Sequence, residues 1–318
     1  MIKDPKILGV VCAFFAAMAF SSNDLIIKLL SSDYPLHQVV FIRATLGLTV
    51  TLFLLMPLEG GLKNLRTCRP LAHFARGLCV VFANMAFFTS IASLPLADAT
   101  AIFFVSPLII TAFSVVFLKE KVGIRRWAAV IVGLIGVIIV VRPGSGSFQL
   151  VALLPLLAAI GYALLHIITR KIGLTESAST MAFYIQLSFI VVSASIGLAF
   201  GDGAYSGSAN PSMEFLLRAW IWPTSNDWIL LAFLGLSSAL GGYLISQAYR
   251  VAEAGLVAPF EYTALVMSVI WGITIWGHWP IATTWAGIAL ILASGLFIAF
   301  REAHLGRTPS ARKTSARR

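Results

Sequence analysis

Ten hydrophobic segments of bilayer-crossing length follow one another along this chain, joined by connections that rarely exceed a dozen residues. They cover approximately residues 7–30, 36–58, 71–92, 97–118, 127–141, 150–169, 178–200, 228–249, 255–276 and 281–300. A helix needs about 20 apolar residues to cross the hydrocarbon layer. In lipid every backbone polar group must be satisfied inside the segment, so these crossings are helices. The short alternating pattern of a membrane barrel is absent. With a mean hydropathy of +0.91 and 11% charged residues, almost nothing remains for a soluble domain. The expected fold is an all-α membrane protein with ten transmembrane helices.

Charge placement orients them. With the N-terminus in the cytoplasm, the connections on that side carry Lys63, Arg66, Arg69, Lys119, Lys121, Arg125, Arg126, Arg170, Lys171 and Arg250, while the opposite side carries only Arg142 and Arg218. Basic loops stay on the cytoplasmic side, and Trp220, Trp222, Trp228, Trp276, Trp279 and Trp285 gather at the outer interface, where indole favours the headgroup level. A cell inner membrane protein with both termini cytoplasmic is expected. The net charge of +10 is therefore mainly a topology signal. A nucleic-acid partner would call for basic residues on one folded surface; here they are spread over short loops and a tail, so none is expected. Residues 301–318 read as a basic, disordered cytoplasmic tail that can touch anionic lipid.

The long connection, 201–227, carries Phe215-Leu216-Leu217 and Trp220-Ile221-Trp222, which suggests a short helix lying on the membrane surface. Lys3 and Lys6 before an apolar run, with Ala17-Met18-Ala19, imitate a signal peptide. Apolar character resumes through residues 25–30, however, and completes a crossing. Cys12, Cys68 and Cys79 suggest no disulfide framework.

The two halves resemble each other. Glu120 is followed after seven residues by Trp127, then by a helix through Gly133 and Gly136 that ends at Arg142. His278 is followed after seven residues by Trp285, then by a helix through Gly287 and Gly295 that ends at Arg301. The helices before them begin near Ala97-Asp98-Ala99 and Ala252-Glu253-Ala254. Five helices per half is an odd number, so the second half lies inverted in the membrane, a construction found in secondary transporters with substrate near the midplane.

These residues resemble a known family. Leu94-Pro-Leu-Ala-Asp-Ala-Thr-Ala-Ile-Phe-Phe-Val-Ser-Pro107, Phe117-Leu-Lys-Glu120, Trp127 and Arg142-Pro-Gly144 look like the first half of EamA proteins, within the drug/metabolite transporter superfamily. Val257-Ala-Pro-Phe-Glu-Tyr262, Gly277-His278-Trp279-Pro280 and the stretch 290–295 look like the second. His278 departs from the pattern, standing where the family usually has an acidic residue. The resemblance implies two five-helix repeats, 1–145 and 146–300, around a central cavity that works by alternating access.

Charged groups at membrane depth default to functional readings. Asp24 and Lys28 share a face of the first helix. Asp24 and Arg43 on its hairpin neighbour both lie roughly 9–10 Å inside the outer end, so a direct or water-bridged pair is expected, with Lys28 in the same network or snorkelling outward. A structural ion pair is the plain alternative. Arg76 and Glu261 both lie about 8–9 Å inside the inner boundary and either pair or bind opposite charges on a substrate. Burial would move the pKa of Glu261 toward the working range, which makes it the candidate proton carrier. Pro107 and Pro259 interrupt helix geometry, and such breaks can face a transporter cavity. Phe103, Phe104, Tyr262 and Trp271 can stack on a flat ring. Gln247, with Tyr243, Gln186, Tyr184 and His166, offers polar contacts. Each of these has a plain packing role as its alternative. Gly133, Gly136, Gly241 and Gly242 suit close helix packing.

No phosphate-binding loop, His-Glu-x-x-His motif or Cys-x-x-Cys pair is present, so no metal, cofactor or catalytic residue is expected and the chain does not read as an enzyme. A lipid enzyme would need acidic pairs or His clusters at one interface, and a channel a repeated polar ring. The function expected is secondary transport of a small organic metabolite, with a riboflavin-like solute favoured and export of amino acids or drugs as the alternative. Fold alone does not specify cargo, and oligomeric state has no signature here.

Overall fold

A computed structural model describes residues 5–58, 60–61, 65–118, 123–142, 149–172, 176–251 and 260–305. The helices are α1 (Pro5–Leu30), α2 (Leu36–Val50, prolonged by a π-helical stretch Thr51–Leu55 and a last turn Met56–Leu58), α3 (Pro70–Ser93), α4 (Leu96–Phe103), α5 (Ser106–Leu118), α6 (Ile124–Val141), α7 (Leu154–Ile172, entered through the 3-10 turn Leu150–Leu153), α8 (Ala178–Phe200), α9 (Pro211–Leu217), α10 (Ser225–Val251), α11 (Thr263–Trp276) and α12 (Ala282–Leu305). No strand occurs among the described residues. Seven helical spans are long and apolar enough to cross a membrane, while Trp127–Val141, Thr263–Trp276 and Ala282–Phe297 form shorter apolar helices. Glu120, Pro259, the stretch 252–258 and residues 306–318 lie outside the described residues. Helix α12 continues to Leu305, into the segment expected to be a disordered tail.

Helix ends follow local chemistry. Pro70 begins α3, where its missing N–H is no loss. Ser177 caps α8 by accepting from the Thr180 amide at 3.1 Å, and Asn210 caps α9 by accepting from the Ser212 amide at 2.9 Å. The expected mid-helix interruption is present: α4 stops at Phe103, Phe104 and Val105 form a turn, and α5 restarts just before Pro107. Proline lacks the N–H that would continue the ladder, and its ring crowds the preceding turn.

Packing joins α1 to α10, α3 to α7, α6 to α12 and α2 to α8. Small residues permit the closest approach. A Cβ on Gly136 would meet the Gly287 carbonyl oxygen at 3.0 Å, and one on Gly287 the Gly136 carbonyl oxygen at 2.8 Å, so α6 and α12 touch through backbone. Outward faces carry Leu78, Phe82, Ile131, Ile138, Leu198 and Phe233, all exposed, as lipid-facing positions should be.

The long connection holds a short helix as expected, and that helix, α9, is packed on protein. Phe215 on α9 is fully buried, and the Ser212 hydroxyl donates to the Thr89 carbonyl at 2.6 Å. Helix α9 thus seats on α3, because one turn holding Phe215 and Leu216 buries more apolar surface against protein than it would lying flat. Trp220 lies 5.8 Å from the His37 ring, and the Ile221 amide donates to Gln38 Oε1 at 3.2 Å. Glu214 accepts from the Gly207 and Ser208 amides at 2.8 and 2.9 Å. Those amides, with Arg218 behind them, hold its carboxyl below the usual range. A depressed pKa stabilises the ordered loop above the ordinary carboxylate pKa, and that contribution disappears as pH falls through the lower folded value. Glu214→Gln should therefore speed hydrogen exchange at Gly207 and Ser208 at neutral pH, with the difference from wild type vanishing in acid.

Candidate functional site

Three polar clusters sit at different depths in the bundle. At the end of the bundle expected to face outward, Arg142 closes α6 in the left-handed region with φ 51°, an uncommon backbone for a side-chain-bearing residue. Its guanidinium donates to the buried Thr284 hydroxyl at 3.1 Å. The Asp98 carboxylate lies near that hydroxyl, where α4 packs on both α6 and α12. A cavity of about 110 Å³, lined among others by Leu94, Asp98, Ile102, Arg142 and Gln149, opens beside them.

In the same half, Arg43 on α2 is 3% exposed and is contacted by residues of α1, α3 and α8. Its Nη1 donates to Asn23 Oδ1 at 3.1 Å, and Asn23 in turn donates to the Leu234 carbonyl and the Ser237 hydroxyl on α10. The guanidinium carbon lies 4.8 Å from the centre of the Phe189 ring and 5.3 Å from that of Phe88. Among the described residues, Arg43 Nε and Nη2 have no hydrogen-bond partner. Asp24 and Arg43 attract each other, yet among the described residues no ion pair joins them. Of the expected direct or water-bridged pair, the direct contact is absent among the described residues, and Arg43 bonds Asn23 with Asp24 nearby. Lys28 leaves that network as well: its Nζ donates to the Ile91 carbonyl and, at 2.7 Å, to the Leu94 carbonyl. It also lies 5.4 Å from the Trp276 ring. A cation at the C-terminal carbonyls of α3 satisfies groups the helix leaves open and suits its dipole.

A run of aromatic rings leads inward from Arg43. Phe88 lies 5.8 Å from Phe87, and Phe87 is 5.1 Å from Phe103. Phe103 is 5.2 Å from Tyr162 and 6.0 Å from Phe104; Phe104 is 5.3 Å from Tyr262, and Tyr162 is 4.3 Å from His166. These tilted and edge geometries are those aromatic pairs favour. The interruption before Pro107 sets Phe103 and Phe104 on the two sides of a turn, which lets one face α7 and the other α11. Tyr262 and Trp271 each keep a buried polar atom without a partner, Oη and Nε1. Glycine at 295 leaves the room that the Tyr262 ring occupies, since a Cβ there would overlap it. Glu261 acts electrostatically on both Tyr162 and Tyr262.

The third cluster lies at the inner end. Arg76 Nε donates to Thr169 Oγ1 at 2.9 Å, and its Nη1 lies 3.5 Å from His73 Nδ1. His73 Nε2 is 3.4 Å from Glu176 Oε2, with both side chains almost wholly buried. Thr67 donates to Glu176 Oε1 at 2.8 Å, and Tyr184 stacks on His73 at 4.4 Å. The acidic neighbour that compensates Arg76 is thus Glu176, where Glu261 was one expected partner.

Among the residues singled out in the sequence, Phe104, Tyr262 and Glu261 come together, Asp24 and Arg43 come together, and Arg76 stands in the inner cluster. Trp271 lies two turns beyond Tyr262 on α11, while Gln247 bonds Tyr243 one turn away on α10 at 3.3 Å. Asn23, Phe88, Phe189, Tyr162, His73 and Glu176 are functional candidates that sequence reasoning missed. Glu176 had a signal, as the only acidic residue between Glu120 and Asp202.

Residues 7–142 match the EamA-like transporter family. The chain is 30% identical over 295 residues to the S-adenosylmethionine uptake transporter of Rickettsia bellii (strain RML369-C), covering 93% of this chain and 94% of that one. It is 29% identical over 301 residues to the riboflavin transporter of Vibrio cholerae serotype O1, with 93% and 94% covered. It is 28% identical over 297 residues to the pseudopaline exporter CntI of Pseudomonas aeruginosa (strain UCBPP-PA14), with 92% and 96% covered. A solved crystal structure superposes with a TM-score of 0.67 at 18% identity, over 94% of this chain and 99% of that chain. At that identity the likeness carries the fold alone.

Proposed function

From the premise that this chain belongs to the EamA-like transporter family, as a multi-pass membrane protein that transports a metabolite, we propose that it takes up a solute bearing a flat ring. Transport would proceed by alternating access between two inverted five-helix repeats, 1–145 and 146–300, with ten crossings in the inner membrane and both termini cytoplasmic. The observation that carries the cargo reading is the run of rings from Phe87 through Phe103 and Phe104 to Tyr162 and Tyr262 at a broken helix. One relative is named an S-adenosylmethionine uptake transporter and another a riboflavin transporter. Both solutes carry a flat heteroaromatic ring that such faces can stack on.

The packing pattern supports the inverted repeat. Contact of α1 with α10 is matched by contact of α7 with α3, and contact of α1 with α11 by that of α7 with α4 and α5. The pairs α2 with α8 and α6 with α12 map onto themselves. The family match ends at 142, where the first repeat would end. Loop charge supports the orientation. Single cysteines at Ser208 and Ser310 test it: an impermeant thiol reagent on intact cells should label position 208 and spare 310, and the reverse pattern overturns it.

Glu261, beside two phenols, is the proton-responsive group in this reading. Glu261→Gln should flatten the dependence of uptake on pH between about pH 5.5 and pH 8, because the amide cannot take up or release a proton. A wild-type profile in that variant removes Glu261 from the coupling. For cargo, proteoliposomes holding the purified protein should accumulate radiolabelled S-adenosylmethionine or riboflavin saturably. Rates equal to those of empty vesicles for both overturn the flat-ring reading.

A further inference from the structure

Arg43 is a buried cation only partly accounted for by its surroundings. One of its nitrogens bonds Asn23, two aromatic rings cover its faces, and among the described residues Nε and Nη2 meet no acceptor. Guanidinium nitrogens buried without acceptors are rare, because five donors in a planar fork match a carboxylate bidentately. Asp24 follows Asn23 on α1 and carries the opposite charge near Arg43, and among the described residues no ion pair joins the two. Asn23 is held in place by α10 and fixes the orientation of the guanidinium. Phe88 then links this region to the ring run, since it touches both Arg43 and Phe87.

We propose that Arg43 and Asp24 form a subsite for an α-amino-acid zwitterion, carboxylate on Arg43 and ammonium on Asp24, at the far end of a cargo whose flat ring stacks along Phe87 and Phe103. This rests on the flat-ring reading above and narrows it to solutes with an amino-acid end. A lone anion would leave Asp24 repelling it, and a lone cation would leave Arg43 without its acceptor, whereas a zwitterion answers both. The free guanidinium nitrogens take the two carboxylate oxygens in a charge-assisted fork. Asp24 accepts from the ammonium.

Two purine probes separate the ring from the amino-acid end: S-adenosyl-L-homocysteine, and 5′-methylthioadenosine, which keeps the nucleoside thioether and lacks the amino acid. Binding to the purified full chain in detergent should favour the first by about 100-fold, since a site built to hydrogen-bond a group rejects the analogue without it. Arg43→Gln and Asp24→Asn should each abolish most of that preference while leaving 5′-methylthioadenosine binding within about twofold of wild type. That second probe also reports whether each variant is folded. Equal wild-type affinity for the two probes overturns the zwitterion subsite and leaves the flat-ring reading standing, as does an Arg43→Gln variant that keeps the full preference. If neither probe binds, and riboflavin binds instead, the amino-acid end is likewise excluded. If no ring-bearing solute binds, the flat-ring reading and this inference fail together.

Discussion

Phe103→Ala should reduce the affinity for a ring-bearing solute by roughly 5- to 150-fold, the range expected when a stacking face worth ~1–3 kcal/mol is removed. Phe103 touches Phe87, Phe104 and Tyr162, so it is the one ring shared by both branches of the aromatic run. Its loss opens a void among α3, α4 and α7 besides deleting a surface for cargo. Phe103→Leu fills much of that volume without a π-face. A binding loss in both variants assigns the effect to stacking, while a loss in the alanine variant alone assigns it to packing. Uptake rate against solute concentration measures it: the concentration for half-maximal uptake should rise in both variants, with thermal stability lowered mainly in Phe103→Ala.

The second large effect belongs to the inner cluster. Glu176→Gln keeps the shape of the side chain and leaves Arg76 without its acidic neighbour. Breaking one partner of a buried charged pair destabilises soluble proteins by about 3–5 kcal/mol, because the other charge stays buried. A membrane protein can soften that through water defects or snorkelling, so the lower part of the range is expected here. His73 stands between the two, facing Arg76 with Nδ1 and Glu176 with Nε2. The loss should therefore be shared: Glu176→Gln and His73→Ala should be less than additive in the double variant, as neighbours in one network are. Unfolding of the detergent-solubilised protein followed by denaturant would measure this. Strict additivity would make His73 and Glu176 independent.

Local chemistry announced much of this molecule. Segment length and apolarity gave the helices, and Pro107 gave the interruption that separates Phe103 from Phe104. Arg43 and Asp24 were legible because charges at membrane depth need a reason. Their partners were not. Asn23 reads as an ordinary polar residue one position from Asp24, and only the approach of α2 and α10 to α1 makes it the acceptor for Arg43. Depth along a helix placed Arg76 level with Glu261, but depth says nothing about rotation around the bundle axis. Packing of α3 on α7 turned Arg76 toward Thr169 and the Glu176 connection. Lys28 shared a helix face with Asp24, yet its long side chain reached the open carbonyls ending α3. The seat of α9 has the same origin: Phe215 is apolar enough for lipid, and only the approach of α3 shows that it is buried against protein.

A carrier that alternates between two faces has one kinetic signature that an enzyme or a channel lacks. Proteoliposomes containing the purified chain should be loaded with unlabelled S-adenosyl-L-methionine and diluted into a trace of the labelled solute. Counterflow predicts a transient accumulation of label above equilibrium inside the vesicles, because the loaded site returns outward-facing and exchanges its cargo. The overshoot should be absent from protein-free vesicles and reduced by Phe103→Ala. Label that rises monotonically to equilibrium in loaded vesicles, with S-adenosylmethionine and with riboflavin alike, would contradict alternating-access transport of a flat-ring metabolite by this protein.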